Sequence, residues 1–176
     1  MLRHLSLAVL LAVAVGCGDT GKGKPATDGA PKGDAEAAAA AGKMLLLREE
    51  PAGAKGVKEV RASAKTGDDV VVVGRVGGRD KPFTEGMALF LIVDPSLKPA
   101  TECECPWDYC DTKKKDLEAA RATVKFVGAE GEPLKVEARE AFGIKELSTV
   151  VVKGRAVRDG AGNLVVVGSG LFVKEK

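Results

Sequence analysis

Two short segments constrain the fold more than any others: Val70-Val71-Val72-Val73-Gly74-Arg75-Val76-Gly77-Gly78 and Thr149-Val150-Val151-Val152-Lys153-Gly154-Arg155-Ala156-Val157. Runs of β-branched residues pack well on a pleated sheet, and a glycine inside such a run marks a bend or bulge. The two runs echo each other, glycine at matching positions, as expected of two bent neighbouring strands in a curved sheet. Met87–Val93, stopped by Asp94-Pro95, and Ala122–Val127 supply two more apolar runs. Leu164–Val173 supplies the last, joined to its predecessor by the turn-rich Arg158–Asn163, a hairpin signature.

Between the third and fourth runs, Pro133–Gly143 reads as a helix with Gly143 as its C-cap. Ala54–Ala64 and Asp116–Arg121 read as a short helix and a helical turn, and Met44–Leu47 as a short strand or capping segment. The order strand, strand, strand, helix, strand, strand resembles the OB-fold. That resemblance implies a mainly β domain, a five-stranded, partly open barrel with a helix between strands 3 and 4. An open meander packed on the helix is the rival architecture.

The chain in front of this domain has a different character. A basic start, Met1 to His4, precedes an apolar run from Leu5 to Val15. That run is shorter than the roughly 20 residues a bilayer-spanning helix needs, and it reads as a signal peptide over residues 1–16. Ala14-Val15-Gly16-Cys17 resembles the lipobox of bacterial lipoproteins. The resemblance implies lipidation at Cys17: the thiol takes a diacylglycerol, and the new amino group is acylated (palmitate). It departs from the common pattern in having alanine three residues before the cysteine. Several acyl chains, at about 0.8 kcal/mol per buried methylene, make a stable anchor. Gly18 follows where an inner-membrane retention signal would place aspartate, so the expected location is the cell envelope, on the outer membrane facing the periplasm. Residues 17–43 are rich in Gly, Ala, Pro, Lys and Asp and read as a lipidated, disordered linker. A flexible chain of that length spans roughly 25–30 Å. Residues 44–176 form the expected domain.

Composition removes several function classes. Lysine and arginine number 27 against 25 acidic residues, so no strong field points to nucleic acid. The sole histidine, His4, lies in the expected signal, leaving no imidazole base for the domain. No catalytic residues are assigned, and the chain is expected not to be an enzyme.

Chemical character concentrates in Cys103-Glu104-Cys105-Pro106-Trp107-Asp108-Tyr109-Cys110-Asp111, which holds three thiols, three carboxylates, the sole tryptophan and the sole tyrosine. The spacing is neither the Cys-x-x-Cys of thioredoxin-like motifs nor a paired zinc pattern. Three readings compete. A structural disulfide, Cys105–Cys110 or Cys103–Cys110, suits an oxidising compartment and leaves one thiol over; Cys103–Cys105 would be strained. A metal site would use Cys103, Cys105 and Cys110 for Cu, or add Asp108 or Asp111 for Zn. The third is an intermolecular disulfide or free thiols. Trp107 and Tyr109 are expected to plug the barrel end beneath this loop.

Val76-Gly77-Gly78, Pro82-Phe83, Gly86, Ile92-Val93-Asp94 and Pro106-Trp107-Asp108-Tyr109-Cys110 together resemble a family of uncharacterised bacterial lipoproteins, from about residue 50 onward. The resemblance implies an OB-like domain on a lipid tether and supplies no activity. The leading expectation is a non-enzymatic binding or structural module, without cofactor, whose partner is a protein or envelope glycan. Its binding face would involve Phe83, Phe90, Lys125 and the cysteine loop, with Arg75, Lys153 and Arg155 as a solvated stripe. The alternative is a metal-binding (Cu or Zn) or thiol-redox protein built on the cysteine loop.

Overall fold

Each valine-rich run becomes a strand in the computed structural model, which describes residue 37 and residues 40–174. The expected signal (1–16), Cys17 and the linker up to residue 36 lie outside the described residues. A two-residue strand β1 (Lys55–Gly56) and helix α1 (Val57–Ser63) lead into β2 (Asp69–Val76) and β3 (Leu89–Val93). A 3₁₀ turn (Pro106–Asp108) and helix α2 (Lys114–Ala119) precede β4 (Arg121–Phe126). Helix α3 (Ala138–Phe142) separates β4 from the β5 (Thr149–Arg158) and β6 (Leu164–Lys174) hairpin.

The strands close into a ring. β2 pairs antiparallel with β3 and β5, β3 with β4, and β5 with β6, while β4 runs parallel to β6. The expected OB-like arrangement is therefore present, as a closed five-stranded barrel with β1 added beside β2. The opening expected in the ring is bridged by the ladder that pairs Thr123–Phe126 with Val165–Gly168.

The echo between the two glycine-broken runs has a structural meaning. β2 and β5 lie side by side with Val72 opposite Val152, Gly74 opposite Val150 and Gly154 opposite Val70. The matching glycines thus sit symmetrically about the central pair. A Cβ at Gly74 would lie 2.8 Å from the Ile92 Cβ inside the barrel. Gly154 sits at a register shift in the β5–β6 ladder, where its missing Cβ admits the Val167 carbonyl. Both positions allow the close approach that a small barrel's curvature needs.

Alternate residues of every strand fill the interior. Val72, Val76, Phe90, Ile92, Val124, Phe126, Val150, Val152, Leu164 and Val166 are fully buried, each contributing about 1.5–3 kcal/mol. α3 closes one end with Ala138, Ala141 and Phe142, the Phe142 ring 4.6 Å from that of Phe126. It is shorter than the helix expected over Pro133–Gly143. Leu134 donates its N–H to the Phe126 carbonyl (2.9 Å), and Val127 bridges to Pro133, so this stretch stays extended. Gly143 ends the helix with φ +63°, as a C-cap should. Phe90, expected on the binding face, is instead a core residue on which Phe83 packs, centroids 6.0 Å apart.

Residues 40–44 are helical, and Leu45–Leu47 then runs as a strap along β6. Leu171 donates to the Leu45 carbonyl (2.8 Å) and Leu47 donates to the Leu171 carbonyl (2.7 Å).

Candidate functional site

The cysteine loop begins where β3 ends, at Asp94, a charged residue only 6 % exposed. Its Oδ2 accepts the Lys58 N–H (2.8 Å) and its Oδ1 the Ser96 N–H (2.9 Å), tying the first turn of α1 to the β3 terminus. From there the chain folds back over the barrel. Tyr109 is wholly buried in a small second cluster with Val93 and Ala120, its backbone left-handed at φ 59°. Its hydroxyl lies 3.5 Å from Arg75 Nη1, which also donates to the Leu97 carbonyl. Arg75 is thus half-buried under the loop and not part of a solvated stripe, whereas Lys153 and Arg155 are exposed. Burial pushes the Tyr109 phenol up, against the opposing pull of the Arg75 guanidinium.

Gly77 and Gly78 exist to receive this loop. A Cβ on Gly77 would stand 2.5 Å from the Trp107 carbonyl oxygen. Gly78, at φ +94°, donates its N–H to the same oxygen (2.7 Å). The Trp107 indole then donates to the Asp80 carbonyl (2.9 Å). The Val-Gly-Gly and Pro-Trp-Asp-Tyr segments are therefore two halves of one packing unit, which gives both a structural reason to occur together. Tyr109 is buried, but in the second cluster and not as the expected plug of the barrel core; Trp107 is half-exposed and clamps the 77–80 turn from outside.

The thiols do not act as a set. Cys103 and Cys110 form a disulfide, one of the two pairings open to the sequence, and Cys105 is left free and half-buried. Cys105 Sγ donates to Asp80 Oδ1 at 3.7 Å. Desolvation, then the carboxylates of Asp80, Asp108 and Glu104, push this thiol up, away from the thiolate that would be the nucleophile. Asp111 is exposed, its Oδ2 accepting the Thr101 N–H (3.1 Å), and Asp108 is half-exposed. Among the described residues no group of three or more His, Cys, Asp or Glu side chains is placed to hold a metal ion. The ligand set expected from Cys103, Cys105, Cys110, Asp108 and Asp111 does not assemble, because two of the sulfurs are bonded to each other.

A different constellation stands on the barrel wall. β3, β4 and the β5–β6 turn open a polar cavity of about 180 Å³, lined by Arg79, Leu91, Arg121, Thr123, Asp159 and Asn163 among others. Arg121 opens β4 and donates from Nη1 to the Gly78 carbonyl (2.9 Å). Arg79 lies between Gly78 and Asp80, the two residues pinned by Trp107, so the cysteine loop positions it. Asp159 shapes the turn: its Oδ1 accepts the Ala161 and Asn163 N–H groups (2.9 and 2.8 Å) and its Oδ2 the Asn163 amide (3.0 Å). The side-chain and backbone bonds from Asn163 hold the Asp159 carboxyl below its usual range. Arg61 of α1 reaches the rim, donating to Asn163 Oδ1 and the Arg121 carbonyl, each at 3.4 Å.

Lys125, expected on the binding face, is half-exposed on β4 but outside this lining. Arg79, Arg121 and Asn163 were not legible as a site, since nothing in their spacing marks them; only barrel closure brings residues so far apart in the chain together. A second cavity, about 360 Å³, lies between α1 and the β2–β5 pair. It is walled mainly by Val60, Ala64, Val70 and Val71, and of its two lysines Lys55 is paired with Glu59 at 2.7 Å while Lys153 is exposed. No protein-family model matches the chain, and no curated protein matches it.

Proposed function

We propose that the protein is an exported lipoprotein, lipidated at Cys17 and held on the outer membrane facing the periplasm, whose barrel is a non-enzymatic binding module for an envelope glycan or protein. The observation that carries the reading is the polar cavity on the β3–β4 face. It offers several oriented donors and an apolar wall without a nucleophile beside a base, which suits recognition better than turnover. OB barrels bind on this face and its adjoining loops, an analogy of fold and no more. The Cys103–Cys110 disulfide supports export, since such bonds persist in oxidising compartments. The metal or thiol-redox alternative is less well supported, because Cys105, the one free thiol among the described residues, is biased toward its protonated form.

Mass spectrometry of the protein isolated from its native membranes tests the anchor. The expected N-terminus is Cys17 carrying diacylglycerol and an N-acyl chain, and Cys17→Ser is expected to move the protein out of the membrane fraction. An unmodified Cys17 within a retained leader would end the proposal.

A further inference from the structure

The cavity on the β3–β4 face has more cationic than anionic side chains around it once Arg61 at its rim is counted: Arg61, Arg79 and Arg121 against Glu118 and Asp159. Two carboxylates line it, yet both have partners. Glu118 lies 4.0 Å from Lys114, and the Asp159 oxygens are engaged by the turn they shape. Arg79 and Arg121 belong to none of the ion pairs among the described residues. Arg121 spends one N–H on the Gly78 carbonyl, and most of the five donors a guanidinium carries stay unspent. Two such forks at one recess match the planar oxyanion of a carboxylate.

The remaining lining says what bears that carboxylate. The Thr123 hydroxyl and the one Asn163 amide N–H not given to Asp159 suit hydroxyl groups, and Leu91 supplies an apolar wall for a ring face. No aromatic side chain lines the cavity, so a stacked nucleobase has no platform there. We infer that the cavity binds the acidic ring of a carboxylate-bearing saccharide. Arg79 and Arg121 take the carboxylate, Thr123 and Asn163 the neighbouring hydroxyls, and Leu91 the apolar ring face. This rests on the reading of the barrel as a binding module and gives that module a ligand class.

Calorimetric titration of the full-length, detergent-solubilised protein tests it with three probes. These are the disaccharide N-acetylglucosaminyl-N-acetylmuramic acid, chitobiose as its counterpart without the carboxylate, and inorganic phosphate. The expected result is saturable binding of the acidic disaccharide, at least tenfold weaker binding of the other two, and weakening with added salt. Arg79→Ala, at an exposed position outside the core, and Arg121→Gln should each weaken the disaccharide at least tenfold, with an unchanged circular dichroism spectrum for Arg79→Ala. No binding, equal binding of chitobiose or phosphate, or indifference to Arg79→Ala would overturn the inference. Saturable chitobiose binding as tight as that of the acidic disaccharide would end the acidic ligand class while leaving the barrel a binding module, so the two fail separately.

Discussion

Asp94 shows how one buried charge can be stable here and what it does. Burial alone would raise its pKa. The N–H bonds from Lys58 and Ser96, with the Lys58 charge, outweigh that and leave it below its ordinary 3.8. The space is filled to contact, since a Cβ on Gly56 would stand 2.6 Å from Asp94 Oδ2. A carboxyl whose folded pKa is depressed stabilises the fold fully above its unfolded pKa. That contribution is lost as pH falls through the ordinary value toward the folded one. Asp94→Asn keeps an acceptor oxygen for one of the two backbone N–H groups and turns an NH2 toward the other, and is expected to cost about 1–3 kcal/mol at pH 7. Below about pH 5 the variant's stability should fall less steeply than that of the parent. Urea denaturation over a pH series checks both, and parallel curves would show that Asp94 carries no linked proton. The sequence made Asp94-Pro95 legible as a strand stop. It could not show the bond to Lys58, 36 positions away, because that contact exists only once α1 docks.

Among the elements, the strands were legible and the loop's internal bonding was not. Runs such as Val70–Val73 have one consistent use, and glycines at 74 and 154 mark bends whatever the neighbours. Pro133–Val136 misled because an apolar stretch leading into a real helix fits its period; a bridge to Val127 decided otherwise. For the cysteines, Cys103–Cys110 and Cys105–Cys110 both close short loops, and local spacing does not choose between them. Tyr109, buried and left-handed, turns the chain between the 3₁₀ turn and Cys110, and Cys103 meets Cys110 only in the folded loop. The disulfide thus fastens the loop that clamps Gly78–Asp80. Closing a loop of this size is worth about 2–3 kcal/mol in the chain-entropy account. Reduction, or Cys103→Ser with Cys110→Ser, should lower stability by about that amount. It should also speed hydrogen exchange at the Gly78 N–H, whose acceptor is in the loop. Unchanged protection at Gly78 would mean the loop holds Arg79 without the bond.

At the scale of the molecule, closure is what the fold achieves, and it depends on a segment outside the ring. Pairing of β4 with β6 seals the barrel only over Val165–Gly168, and beyond it β6 would present an open edge. Leu45–Leu47 covers that edge with two backbone bonds at Leu171, and Leu47 packs on the face left bare by Gly170. On the other flank β1 does the same for β2 at Val72 and Val73. An uncovered edge is a template for another chain. Replacing Leu45, Leu46 and Leu47 together by serine removes three half-buried side chains and is expected to cost about 2–4 kcal/mol. The backbone bonds at Leu171 would then form and break more freely, and the exposed β6 edge should draw copies together. Size-exclusion chromatography at rising concentration should show a monomer for the parent and growing association for the variant, with hydrogen exchange accelerated at Leu171. A variant that stays monomeric with Leu171 protected would show that the ring holds its own edge, and that the strap serves only to connect the barrel to the chain before it.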